Sequence, residues 1–166
     1  MSKTLGMALF LAAGIGALPL RGQEAGISVG AMAPVVTVRD LDGKSVDLGQ
    51  YIGKKPVFLE FWATWCELCE ELLPRVRAAK ARYGEGVEFI GINVTVNQTQ
   101  ERVRRYLEKH RPPFTTLWDE EGTSTRAYQA PATSYVVIVD RSGKVAYTGS
   151  GGTQEFDGVL RRITQN

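Results

Sequence analysis

Two cysteines, Cys66 and Cys69, stand three positions apart in the segment Trp62-Ala63-Thr64-Trp65-Cys66-Glu67-Leu68-Cys69, and the chain has no others. The run before them, Val57-Phe58-Leu59-Glu60-Phe61-Trp62, reads as a buried strand, and the spacing of Leu68, Leu72, Val76 and Ala79 predicts a helix from Cys66 to Tyr83. A thiol at the first turn of a helix meets unpaired backbone N–H groups and the positive end of the macrodipole, and both favour the thiolate. Cys66 is therefore the candidate attacking sulfur. Cys69, one turn on and on the same face, is placed to attack a mixed disulfide and release the substrate. A bridge across so short a loop removes little entropy from the unfolded chain, so it points to chemistry rather than stability. Cysteines at this spacing also occur in zinc sites, but those need two more ligands. The chain supplies only His110, at the far end of another predicted helix, where a solvated role is expected, so no metal or other cofactor is assigned.

Glu67, Glu70 and Glu71 crowd the start of the same helix. Acids there complement the macrodipole and oppose a thiolate at Cys66, each effect being about 0.3–1 kcal/mol for exposed groups. Near-cancellation leaves the thiolate only modestly stabilised. That favours the disulfide form and makes the reduced protein an electron donor, hence a disulfide reductase. Trp62, Trp65, Glu67 and Leu68 form the expected rim against which a thiol substrate would lie.

The elements that must hold this pair in place can be followed along the chain. Val35, Val36 and Val38 form a short strand, Asp42-Gly43 marks a hairpin turn, and Ser45 to Leu48 returns. After the Val57–Trp62 strand and the helix comes a second buried strand, 87–94, parallel to the first because the crossover has the length of a βαβ unit. An amphipathic helix follows over Gln98 to His110, with Val103, Tyr106 and Leu107 inward, stopped by Pro112-Pro113. Phe114 to Trp118 is extended and Thr123 to Tyr128 helical. Tyr135 to Val139 and Lys144 to Thr148 make a hairpin around Arg141-Ser142-Gly143, and a last helix spans Glu155 to Ile163. The order β-β-β-α-β-α-β-β-α implies an α/β domain with a mixed central sheet flanked by helices on both faces and an N-terminal β-hairpin extension.

The segment VFLEFWATWCELCEELLP, Val57 to Pro74, resembles the active-site strand and helix of thioredoxin-like proteins, and Trp62-Ala-Thr-Trp-Cys is similar to the TlpA/ResA-like branch of thiol-disulfide oxidoreductases. The likeness continues through Ile90 to Val94, Phe114 to Asp119 and Val137 to Val145, covering about residues 34–166. It implies a thioredoxin fold, a solvent-facing dithiol, protein disulfides and dithiols as substrates, often in cytochrome c maturation, and an upstream membrane electron donor; a monomer is expected. It also implies a role for Glu60, six residues before Cys66, where thioredoxins keep a buried acid. Desolvation on an apolar strand raises the pKa of such a carboxyl and suits it to carry the proton of Cys69. One departure stands out. Thioredoxin-like proteins place a cis-proline opposite the dithiol, and counting back from Asp140 and Gly143 that position falls on Ser134, after Thr133, whereas Pro131 is the proline nearby. A cis bond before a non-proline costs about 3 kcal/mol, so a trans Thr133-Ser134 connection is expected. These two residues are the remaining candidates for substrate contact. Loss of the proline opens a rival reading as a copper-binding or copper-delivering module on the same two cysteines, although copper-delivering relatives of the fold space their cysteines by three residues and add a His. A peroxidase reading fails because Ala63 and Leu59 stand where peroxiredoxin-like sites want Thr and Pro.

The first 22 residues read as a secretory leader: Lys3, an apolar run from Leu5 to Leu18, Pro19, then Leu20-Arg21-Gly22. The run is short of the roughly 20 residues of a spanning helix, so cleavage is favoured over retention as an anchor, and an exported, periplasmic or extracytoplasmic location follows. Residues 23–33 read as a linker or a loosely docked N-terminal strand, expected to be mobile, and 34–166 as the thioredoxin-like domain. The whole chain carries 20 basic and 18 acidic side chains. Removing the leader takes away Lys3 and Arg21 and leaves a formally neutral protein. No basic stripe interleaved with aromatics is present, which argues against nucleic acid as a partner.

Overall fold

The computed structural model describes residues 25–165, so the leader assigned to residues 1–22 lies outside the described residues. The chain runs β1 (Thr37–Arg39), β2 (Ser45–Asp47), a 3₁₀ turn (Leu48–Gln50), β3 (Val57–Trp62), α1 (Glu67–Tyr83), β4 (Glu88–Val94), α2 (Gln100–His110), β5 (Thr115–Asp119), α3 (Thr123–Ala127), β6 (Tyr135–Val139), β7 (Val145–Ser150) and α4 (Asp157–Thr164). This is a thioredoxin fold, and its seven strands lie in the order β2-β1-β5-β4-β3-β6-β7.

β3 is central because all six of its residues are buried, which suits a strand covered on both faces and paired on both edges. It runs parallel to β4 and antiparallel to β6, and β4 runs parallel to β5. The steps β3–α1–β4 and β4–α2–β5 cross the sheet in the same direction. Right-handed crossovers therefore put α1 and α2 on the same face, and α4 packs beside α1. On that face Phe58, Phe89, Val136 and Ile138 meet Leu72, Val76 and Ala79 of α1 and Leu160 of α4. The opposite face, with Leu59, Phe61, Ile90 and Ile92, is closed by Tyr128 after α3, by Leu48 and by the N-terminal stretch.

Of the two expectations for residues 23–33, a linker or a loosely docked strand, that stretch follows the docked one. Over the described part, from residue 25, it lies against the domain. Ile27 is buried and its N–H donates to the Tyr128 carbonyl at 3.2 Å, and Gly30 and Ala33 donate to the carbonyls of Val145 and Gly143 at 2.8 and 2.9 Å. The small side chains read as linker composition are those that let backbone lie flat on the sheet. A Cβ at Gly26 would sit 2.1 Å from the Tyr135 hydroxyl.

Candidate active site

β3 ends at Trp62 and the chain turns through Ala63–Trp65 into α1, so that Cys66 is the N-cap of the helix, with extended backbone (φ −88°, ψ 101°). An N-cap side chain faces the unpaired donors of the first turn, and here Cys66 Sγ accepts from the Cys69 N–H at 3.0 Å. Cys66 and Cys69 form a disulfide with Cα atoms 5.2 Å apart, and each keeps 5% of its surface open. They pack with Trp62, Ala63, Val103 and Trp118. Both cysteines are therefore buried rather than solvent-facing as the resemblance implies, because Trp62, Val103 and Trp118 close around them, and access to sulfur is narrow.

Glu60 sits two residues before Trp62 on β3, on the same face as the dithiol cluster, opposite Gly91 of β4 and Val136 of β6. It is 2% exposed, Oε2 has no hydrogen-bond partner, and burial pushes its pKa up to about 8. The carboxyl is therefore neutral over most of the physiological range and close to the point where it can both take and give a proton. Gly91 is glycine because the ring of Phe114 and the Trp62 indole close over it: a Cβ there would lie 2.3 Å from Phe114 and 2.8 Å from Trp62 Nε1.

The expected rim divides. Trp62 is buried against Tyr106 and Phe114 and offers nothing to a substrate, because it ends a fully covered strand. Trp65 and Leu68 are 43% and 50% exposed, with Glu67 exposed between them. The Trp65 ring is held by its Nε1, which donates to the Val96 carbonyl at 2.8 Å. Val96, 60% exposed, extends the apolar rim; it lies in the gap between the predicted strand 87–94 and the predicted helix from Gln98, where no pattern marks it. Gln98 ties the turn before Cys66 to the end of β4, its Oε1 accepting from the Thr64 N–H at 3.0 Å and its Nε2 donating to Asn93 Oδ1 at 2.8 Å. Gln98 was expected inside the second helix, but α2 starts later because Thr99 caps it, accepting from the Arg102 N–H.

Thr133 is half-buried, and Ser134 is fully buried at the start of β6. No peptide bond among the described residues is cis, and Ser134 has φ 59° instead. Its hydroxyl turns toward the carbonyls of Leu68 and Gly151 rather than toward solvent, so the side chain is not a substrate contact. His110, expected to be solvated, is half-buried with its ring stacked on Tyr106 at 4.1 Å. Among the described residues no group of three or more His, Cys, Asp or Glu could hold a metal ion, and no helix is long and apolar enough to cross a membrane.

Comparison with known proteins bears on the same region. The model of the AhpC/TSA family matches residues 29–148. Thiol-disulfide oxidoreductase ResA of Bacillus thuringiensis subsp. konkukian is 30% identical over 145 residues, 86% of this chain and 82% of that protein. Thioredoxin-like protein YneN of Bacillus subtilis is 28% identical over 124 residues, 74% and 72% of the two chains. Among solved structures, the thioredoxin domain of a thiol-disulfide oxidoreductase from Bacteroides vulgatus superposes with a TM-score of 0.70 at 21% identity, covering 82% of this chain and 99% of that one. A secreted Mycobacterium tuberculosis disulfide oxidoreductase does so at 0.65 and 23%, covering 79% and 96%.

Proposed function

The chain belongs to the AhpC/TSA family and is a thiol-disulfide oxidoreductase, and from that footing we propose that it is an exported reductase of protein disulfides. In the reducing half-reaction the Cys66 thiolate attacks one sulfur of a substrate disulfide. The new S–S bond joins Cys66 to the substrate, and the other substrate sulfur leaves as a thiolate. Cys69 then loses its proton and attacks the Cys66 sulfur, which breaks the mixed disulfide and frees the second substrate thiolate. Two electrons pass to the substrate and the protein is left as the Cys66–Cys69 disulfide. Glu60, when ionised, is the base that takes the Cys69 proton. An electron donor at the membrane would recharge the pair.

The observation that carries this reading is the Cys69 N–H aimed at Cys66 Sγ from the first turn of α1, because it selects Cys66 as the sulfur able to bear charge. The direction of electron flow is supported by Glu67, Glu70 and Glu71, all exposed at the mouth of the helix, where they weaken thiolate stabilisation and so favour the disulfide in this protein. Trp65, Leu68 and Val96 offer an apolar seat for the substrate chain, and Thr133, half-buried beside Ser134, stays a candidate contact. Export rests on the leader-like residues 1–22 and agrees with the secreted relative of the same fold.

Insulin reduction tests the proposal. Wild-type protein supplied with a dithiol reductant is expected to accelerate precipitation of the insulin B chain, and Cys66→Ser is expected to abolish the effect. Wild-type protein no faster than the reductant alone refutes it.

A further inference from the structure

Ser134 holds a left-handed backbone conformation, φ 59°, with no exposed surface. That conformation costs a non-glycine residue about 1 kcal/mol or more, so its surroundings must hold it. Gln154 does so. Its Nε2 donates to the Ser134 carbonyl at 2.9 Å and to the Gly151 carbonyl at 2.7 Å, and the Gly151 N–H donates to the Ser134 carbonyl at 3.1 Å.

So held, the Ser134 hydroxyl lies 3.3 Å from the Leu68 carbonyl and 3.0 Å from that of Gly151. The Leu68 carbonyl belongs to the same peptide unit as the Cys69 N–H, which reaches Cys66 Sγ at 3.0 Å and the Cys66 carbonyl at 3.1 Å. We propose that Ser134 is a positioning residue for disulfide exchange: its hydroxyl polarises the Leu68–Cys69 peptide and so strengthens the N–H bond that steadies charge on Cys66 Sγ. The inference rests on Cys66 being the attacking sulfur.

Hydrogen bonds in series reinforce one another, and a bond to a charged acceptor gains more than one to a neutral acceptor. The serine hydroxyl has a single proton for two carbonyls. Gly151 is the nearer of the two, 3.0 Å against 3.3 Å, but Gln154 already occupies one of the two acceptor sites of the Gly151 oxygen and lowers the gain from a second donor there. The proton is therefore shared with Leu68, and Gln154 becomes a second positioning residue. The titratable groups nearest the dithiol and Ser134 on the elements packed there are Glu60 on β3, Tyr106 on α2, and Glu67, Glu70 and Glu71 on α1, the last lying against Gly152. Trp118 of β5 and Ser134 of β6 add none. These groups remain in every variant below, so a change in pH profile reports on the relay.

The test is the rate at which reduced protein reacts with a small aromatic disulfide as a function of pH, in a Cys69→Ser background where Cys66 alone reacts. Ser134→Gly accepts φ 59° without strain and deletes the hydroxyl. It is expected to move the profile to higher pH, with roughly a threefold loss of rate below the midpoint and no loss on the alkaline plateau. Gln154→Leu is expected to move it the same way and to add nothing once Ser134→Gly is present. A Ser134→Gly profile that superimposes on the parent overturns the inference, as does full additivity of the two changes. Should Ser134→Gly fail to fold, Ser134→Ala is read by the same outcomes. The reductase reading fails separately, if wild type does not reduce insulin or if Cys66→Ser keeps the fast-reacting thiol. A normal wild type with no shift in Ser134→Gly removes only the relay.

Discussion

At the scale of single residues, Glu60 makes the sharpest demand on the protein. Its carboxyl releases a proton near 4.5 in the unfolded chain and only near 8 in the fold, because burial penalises the charge. Between those values the unfolded state has lost a proton that the native state keeps, so stability falls as pH rises, by roughly 1.4 kcal/mol per pH unit for this group. Below about pH 4.5 both states are protonated and the penalty vanishes. Glu60→Gln, unfolded in denaturant at pH 5 and pH 8, is therefore expected to be more stable than wild type by a margin that is larger at pH 8. An equal margin at both values would show that the carboxyl is not desolvated. The same variant is expected to slow resolution of the mixed disulfide across pH 6 to 9, and an unchanged rate there would remove Glu60 from proton transfer. Glu60 was legible in the sequence as an acid on a wholly apolar strand. Ser134 could be located by counting back from Asp140 and Gly143, but its side-chain direction could not, because that depends on a left-handed φ held by Gln154. Gln154 carried no signal at all: its bonds reach 20 residues back through a loop.

Among the elements, β3 and α1 were readable almost to the residue, since a continuous apolar run and a 3.6-residue period leave few alternatives. The loops on either side were not. Residues 94–99 are tied to the approach to Cys66 by Gln98 and by the Trp65 indole, contacts across some thirty residues that no local pattern encodes. Gln98→Ala removes the acceptor of the Thr64 N–H and the donor to Asn93 Oδ1. It is expected to cost about 1–3 kcal/mol and to slow reduction of insulin more than reduction of a small disulfide, because the Trp65 seat loosens; equal slowing of both would deny the rim a role in docking. The N-terminal stretch makes the complementary point. Its Gly- and Ala-rich composition left a linker and a loosely docked strand equally open, and Ile27, anchored under Tyr128 and Tyr135, decides for docking. Ile27→Ala is expected to destabilise the domain by about 2 kcal/mol or more by cavity formation, and a change below a few tenths in the denaturation midpoint energy would restore the linker description.

For the molecule as a whole, the fold followed from the order of elements and the handedness of crossovers, and the chemistry from two cysteines at one helix terminus. The partner follows from neither, since a narrow sulfur cleft with an apolar rim recognises a class of chain rather than a sequence. Cys69→Ser is expected to accumulate Cys66 mixed disulfides with its protein partners, identifiable by mass spectrometry. A variant that traps nothing would mean that Cys66 does not attack protein disulfides. Equilibration of the Cys66–Cys69 pair with glutathione buffers tests the central claim most directly. A reductase should give a midpoint well below about −180 mV, toward the −270 mV of thioredoxin. A midpoint above −180 mV, or a pair that does not interconvert between dithiol and disulfide, would contradict it.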